Sequence, residues 1–130
     1  MAPEGSANDG RANHGVVDAG AVGEVVVVVT VVDDREVAGN LAETAVTGRL
    51  AACSQIEGPL HSVYRWDGEL CGEQEWRVVA KTTAATAPAL VESWVAAHPY
   101  DVPEVLVVPV LGGHAPYLRW VGSEVRSGSL

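Results

Sequence analysis

Seven residues, His98-Pro-Tyr-Asp-Val-Pro-Glu104, bring an imidazole, a phenol and two carboxylates together within one short stretch. An imidazole can ligate a borderline metal ion or carry a proton. A phenol and carboxylates can hold a ligand by hydrogen bonds. Pro99 and Pro103 fix their own φ and bias the residue before each toward extended backbone. The stretch is therefore stiff, and no helix runs through it. Turn composition alone also supplies Asp and Pro, and a histidine ending a helix interacts with the last carbonyls and the helix dipole. His98 thus has two readings, metal ligand or helix end.

Further chemistry is scattered along the chain. Cys53 follows Leu-Ala-Ala and could bind a soft metal, but a strand cysteine in that setting is more often a small core residue. Cys71 has no partner in the pattern and is the more exposed thiol. Lys81 and Glu104 suggest an ion pair beside a subunit cleft, against a solvated pair of little energetic value. Tyr100, Tyr117 and Trp120 suggest a pocket lining, against packing anchors across a subunit boundary. No nucleophile–base motif, phosphate loop or cofactor fingerprint is present, so no enzymatic activity and no organic cofactor are expected.

The elements that must position these groups follow from periodicity. Val25–Val32 is valine except for Thr30, a run expected to be buried on both faces as a central strand. Asp33 and Glu36 have capping-box spacing, and Val37, Leu41 and Ala45 then define a helix that Gly48 is expected to stop. Leu50–Trp66 reads as a strand broken by Glu57-Gly-Pro59, with Leu60, Ser62, Tyr64 and Trp66 on one face. Asp67-Gly68 is a hairpin signal, and the returning strand reaches about Thr82. Such a hairpin is expected to project beyond the sheet and to seek a partner subunit. A second helix starts between Thr83 and Thr86 with Pro88 in its first turn, and Leu90, Trp94 and His98 share one face. The connector leads into Val105–Val108, expected to be a buried strand, and Tyr117–Val121 reads as a short helical turn. The order β-α-β-β-α-β predicts an α+β, ferredoxin-like sandwich with a long central hairpin and a short C-terminal helix.

The 130 residues suit one domain, with 48% hydrophobic residues and a formal net charge of −9. That charge argues against nucleic acid and against an anionic membrane. Residues 1–22 are Gly-, Ala-, Asn- and Asp-rich and read as a disordered tail, with His14 solvated. The domain is expected over 23–124 and a loose C-terminus over 125–130. Neither a signal peptide nor a membrane-spanning stretch is visible, so a cytoplasmic location with reduced thiols is expected.

The stretches Leu50-Ala-Ala-Cys53, Ser62-Val-Tyr-Arg-Trp66, Lys81-Thr82, Ala89-Leu90, His98 to Glu104, Val108-Pro109 and Tyr117-Leu-Arg-Trp120 occur in one order. In that ordered set the chain resembles the CutA family of divalent-ion-tolerance proteins. The resemblance implies a homotrimer built through the long strands and an association with copper or other divalent cations. It makes His98 a candidate metal ligand, and Cys53 is the second candidate on its own chemistry. It makes Thr30, Lys81, Thr82, Tyr100, Glu104, Tyr117 and Trp120 the candidate cleft residues. Family members with proposed copper ligands carry a cysteine before the first-strand threonine and two adjacent histidines before Pro-Tyr. Here those positions hold Val29 and Ala97-His98, so weak metal binding is expected. The alternative is a trimeric regulator that senses a small molecule or partner, with ligand clefts between subunits.

Overall fold

The computed structural model describes residues 24–126; the predicted tail 1–22 lies outside the described residues. The elements run β1 (Val25–Val32), α1 (Arg35–Thr47), β2 (Cys53–Trp66), β3 (Glu69–Thr83), α2 (Ala87–Ala97), β4 (Val105–Pro109) and α3 (Ala115–Glu124). The sheet order is β2-β3-β1-β4, with every neighbouring pair antiparallel. This is the ferredoxin-like α+β arrangement, with α3 added at the end.

The valine strand β1 is central, as its lack of alternation predicts. Val28 and Val32 are fully buried. They share a face with Thr30 and with Val78 and Ala80 of β3, and the helices cover that face. α1 packs over β2 and β3, and α2 over β1 and β4. Ala38, Ala42 and Ala45 give α1 a small-residue face, so it can lie close to the sheet. Trp94 and Leu90 of α2 fill the space between the helices, and the Trp94 indole N–H donates to Leu41 O at 3.1 Å. On the opposite face α3 buries Val25 and Ala52 beneath Leu118 and Val121.

The hairpin projects as expected. β1 pairs only with Trp76–Thr83 of β3, so Leu60–Trp66 and Glu69–Glu75 form a two-stranded ribbon beyond it. Asp67 and Gly68 close the ribbon with φ of 52° and 79°, the left-handed pair that matches strand twist. The break at Glu57-Gly-Pro59 is a bulge in the β2–β3 register. A Cβ on Gly58 would lie 2.6 Å from Trp76 Cδ1, so only glycine fits there.

Several expectations are corrected. α1 is capped by Asp34, not Asp33, because the Asp34 carboxylate accepts from the N–H groups of Glu36 and Val37 at 2.8 and 3.2 Å. Gly48 does cap the end of α1, as expected, but with a negative φ; the left-handed residue is Arg49 (φ 58°). β2 begins at Cys53, although the Ala52 N–H already donates to Lys81 O at 2.8 Å. β4 is not buried: Leu106 is 53% and Val108 45% exposed. An apolar run reads as buried, but β4 is an edge strand, and its Leu106/Val108 face has no helix over it. α3 has three turns rather than one. At the end of the described residues, the Arg126 N–H donates to Arg49 O at 2.9 Å and its carbonyl accepts from the Thr86 hydroxyl at 2.7 Å; residues 127–130 of the expected loose end lie outside the described residues.

Candidate functional site

The connector's polar groups hold it to the sheet. His98 ends α2, but its ring does not turn to the helix carbonyls. Its Nδ1 lies 3.1 Å from the Tyr100 backbone N–H, which can only donate, so Nδ1 accepts. Nε2 therefore carries the proton and donates to Val31 O at 2.9 Å. The ring also meets the Tyr100 ring edge-on, with centroids 4.8 Å apart. Buried Thr30 donates from Oγ1 to Glu104 O at 2.7 Å. The Tyr100 hydroxyl donates to Glu75 Oε2 at 2.7 Å. Two bonds thus fasten the connector to β1 and one to β3.

Beside the connector, a cleft of about 620 Å³ opens between it and the hairpin ribbon. Its walls include Val31, Tyr64, Trp66, Glu73, Glu75, Tyr100, Asp101 and Glu104. Register explains the assembly: Leu60, Ser62, Tyr64 and Trp66 face the same side as their partners Glu75, Glu73, Cys71 and Glu69. Glu75 is only 5% exposed. The Tyr64 hydroxyl donates to Glu73 Oε2 at 2.6 Å. That bond, more than burial, pushes the Tyr64 phenol up to about 12. The Tyr100 phenol is also raised, first by burial and then by its bond to Glu75. Arg77 is the one basic residue of the lining, and its Nη1 pairs with Glu57 Oε1 at 3.0 Å.

The other predicted residues gather elsewhere. Cys53 Sγ lies 3.6 Å from the Tyr117 hydroxyl, and Tyr117 packs on Trp120 with centroids 5.5 Å apart. Burial, then the Cys53 contact, pushes the Tyr117 phenol up to about 12. Thr82 donates to Leu50 O at 2.6 Å and is fully buried. Lys81 donates to the Gln55 side-chain carbonyl across the β2–β3 pair. The expected Lys81–Glu104 ion pair is not formed within the chain. Lys81 pairs with Val27, whereas Glu104 is held to Thr30 at the other end of β1.

The two candidate metal ligands are likewise apart. Cys53 lies across β3 from the level of Val27, while His98 is bonded at Val31, four residues on. At about 3.3 Å per residue that is roughly 13 Å along the strand alone, too far for one ion. Among the described residues, no group of three or more His, Cys, Asp or Glu is arranged to hold a metal ion. Nor is any helix there long and apolar enough to cross a membrane.

Sequence reasoning missed Glu75, Glu73 and Tyr64. The available signal was parity: Glu73 and Glu75 continue the Arg77–Val79–Lys81 face of β3, and Tyr64 sat on a named face of β2.

Fold and cleft together define a ferredoxin-like α+β protein with a projecting hairpin and an acidic, phenol-lined cleft at the hairpin's base. The chain belongs to the CutA1 divalent ion tolerance protein family, whose model matches residues 26–124. It is 44% identical over 98 residues to the divalent-cation tolerance protein CutA of Thermus thermophilus, covering 75% of this chain and 94% of that one. The solved structure of the divalent cation tolerance protein from Thermus thermophilus superposes with a TM-score of 0.76, over 78% of this chain and 99% of that one. CutA1 from Oryza sativa superposes with a TM-score of 0.77 at 35% identity, over 82% and 97% of the two chains. A protein described as the periplasmic divalent cation tolerance protein CutA, from Archaeoglobus fulgidus, shares the fold at 24% identity and a TM-score of 0.75. That match covers 78% of this chain and 99% of the other.

Proposed function

We propose that the chain acts as a non-enzymatic homotrimer in divalent-cation tolerance, with weak copper binding. The observation that carries the assembly is apolar surface at both sheet edges. The ribbon exposes Val63 and Leu70, at 61% and 70%, and the β4 edge exposes Leu106. Long unpaired edges with apolar residues invite another chain, and a head-to-tail contact between unlike edges closes into a ring. Light scattering tests this: a mass near three times the 13.6 kDa chain is expected, and a monomer at micromolar concentration overturns it.

Weak copper binding follows from His98. Both ring nitrogens are engaged within the chain, so a metal must displace Val31 O or the Tyr100 N–H. The non-enzymatic reading is supported by the cleft's phenols, which keep their protons near neutrality and donate to carboxylates. A cytoplasmic location is supported by the two free cysteines, Cys53 and Cys71. Cell fractionation checks it.

The cleft favours a second reading, a regulator that senses a small molecule between subunits. It is large enough for an organic ligand and holds one deeply buried carboxylate. A thermal-shift screen of metabolites with chelator present tests this reading; no stabilisation by any compound overturns it.

A further inference from the structure

We propose that Arg49 is a latch that ties α3 to the rest of the domain, and that without it α3 opens as a strap ahead of general unfolding.

The turn after α1 carries the first sign. The Leu50 N–H donates to Ala45 O at 2.9 Å, and the Arg49 N–H donates to Val46 O at 3.0 Å. These two bonds close a helix end whose left-handed position is usually glycine. Here that position holds Arg49, with φ 58°. A side chain in this conformation carries a steric cost that glycine avoids. The chain's glycine stands one residue earlier, at Gly48, where φ is −83° and no such freedom is needed.

What the arginine supplies lies at the far end of the domain's sequence. Its Nη1 donates to Glu124 O, on the last residue of α3, at 3.1 Å. α3 has no basic residue in its own last turn and no side-chain cap at its start. The cation at its negative end therefore comes from Arg49. The Arg49 carbonyl, presented by the same left-handed turn, accepts from the Arg126 N–H at 2.9 Å. Thr86 Oγ1 completes the set by donating to Arg126 O at 2.7 Å. One residue thus meets the strap with both its side chain and its backbone.

α3 needs such a latch because its packing is separate. Leu118 and Val121 bury Val25 and Ala52 in a cluster apart from the main core beneath α1 and α2. A helix of ten residues is marginal on its own in water. A small cluster with few anchors is the kind of region that opens locally. An open strap lifts Tyr117 from Cys53 and bares Val25 and Ala52.

The test compares the full natural chain with Arg49→Gly and Arg49→Lys, by hydrogen exchange and by thiol labelling of Cys53 in native conditions. Arg49→Gly removes the guanidinium and the left-handed cost together. Its urea midpoint should hold or rise, while the Leu118 and Val121 amides exchange, and Cys53 is labelled, about threefold faster or more. A merely structural residue would move stability and α3 protection in the same direction. Amides of β1 and β3 should keep their protection. Arg49→Lys keeps a cation within reach of Glu124 O and should stay within about twofold of the natural chain. Unchanged α3 exchange in Arg49→Gly overturns the inference, as does faster exchange spread equally over β1 and β3. So does an Arg49→Lys chain that opens as readily as Arg49→Gly.

Discussion

The Tyr100 hydroxyl meets Glu75 Oε2 at 2.7 Å, joining the connector to the strand at the base of the projecting ribbon. Through this one bond a stiff loop and a two-stranded ribbon share a wall. The same pair lines the cleft, so the clamp and the candidate site share these side chains.

All three tyrosines of the chain sit beside an acceptor or a buried thiol, and this gives a pH prediction. Tyr64 and Tyr117 are pushed up to about 12 from 10.0, and Tyr100 is raised too. A raised folded-state value means the unfolded chain loses these protons first. The stability tied to the phenols is therefore whole below pH 10 and falls as pH rises from 10 toward 12. Absorbance at 295 nm should show little tyrosinate until the protein unfolds in base. Tyr64 is 39% exposed, so its share should be the most salt-sensitive. A full tyrosine titration centred on pH 10 in folded protein refutes this.

Thr30 is fully buried and donates to Glu104 O, so it should matter to stability rather than to ligand binding. Thr30→Val keeps the shape but leaves that carbonyl without its donor. The expected loss is about 1–2 kcal/mol in urea unfolding, with the midpoint shifted and the slope unchanged. An unchanged midpoint would show that the connector does not depend on this bond.

Much of this architecture was legible in the chain. A valine run without alternation reads as an interior strand, and β1 is interior to the sheet, although Val27 and Val29 on its second face are only half-buried. Alternation in Leu60–Trp66 named the face that later proved to line the cleft. Burial at the edges was not legible, because Val105–Val108 has the composition of a core strand wherever it lies in the sheet. Glu75 was hidden for a related reason. Its parity is readable, but its burial depends on Tyr100 arriving from 25 residues away. Spacing likewise gave no sign that Cys53 and His98 sit at different levels of β1.

The two thiols should differ in reactivity. Cys53 is 5% exposed beneath Tyr117, whereas Cys71 lies half-buried on the ribbon. A disulfide reagent should modify Cys71 in the native protein and reach Cys53 only on unfolding. Mass mapping of the labelled peptides reads this directly. Prior labelling of Cys53 would mean that the α3 corner opens before the ribbon.

The metal prediction turns on how many donors can reach one ion. His98 offers a single imidazole whose nitrogens are both engaged, and Cys53 is too far along the sheet to help. Val29 lies two residues before the strand position that holds His98, on the face not covered by α1 and α2. Ala97 ends α2 immediately before His98 and is exposed. A thiolate at the first position and a second imidazole at the other would add the soft and borderline donors that copper favours. Val29→Cys with Ala97→His should therefore raise copper affinity at least tenfold over the natural chain, in titrations under reducing conditions. His98→Ala should abolish whatever weak binding the natural chain shows. Tight copper binding by the natural chain that survives His98→Ala would place the metal away from the connector altogether. In that case the histidine's only task is the one its geometry already shows, holding α2 and the connector to β1.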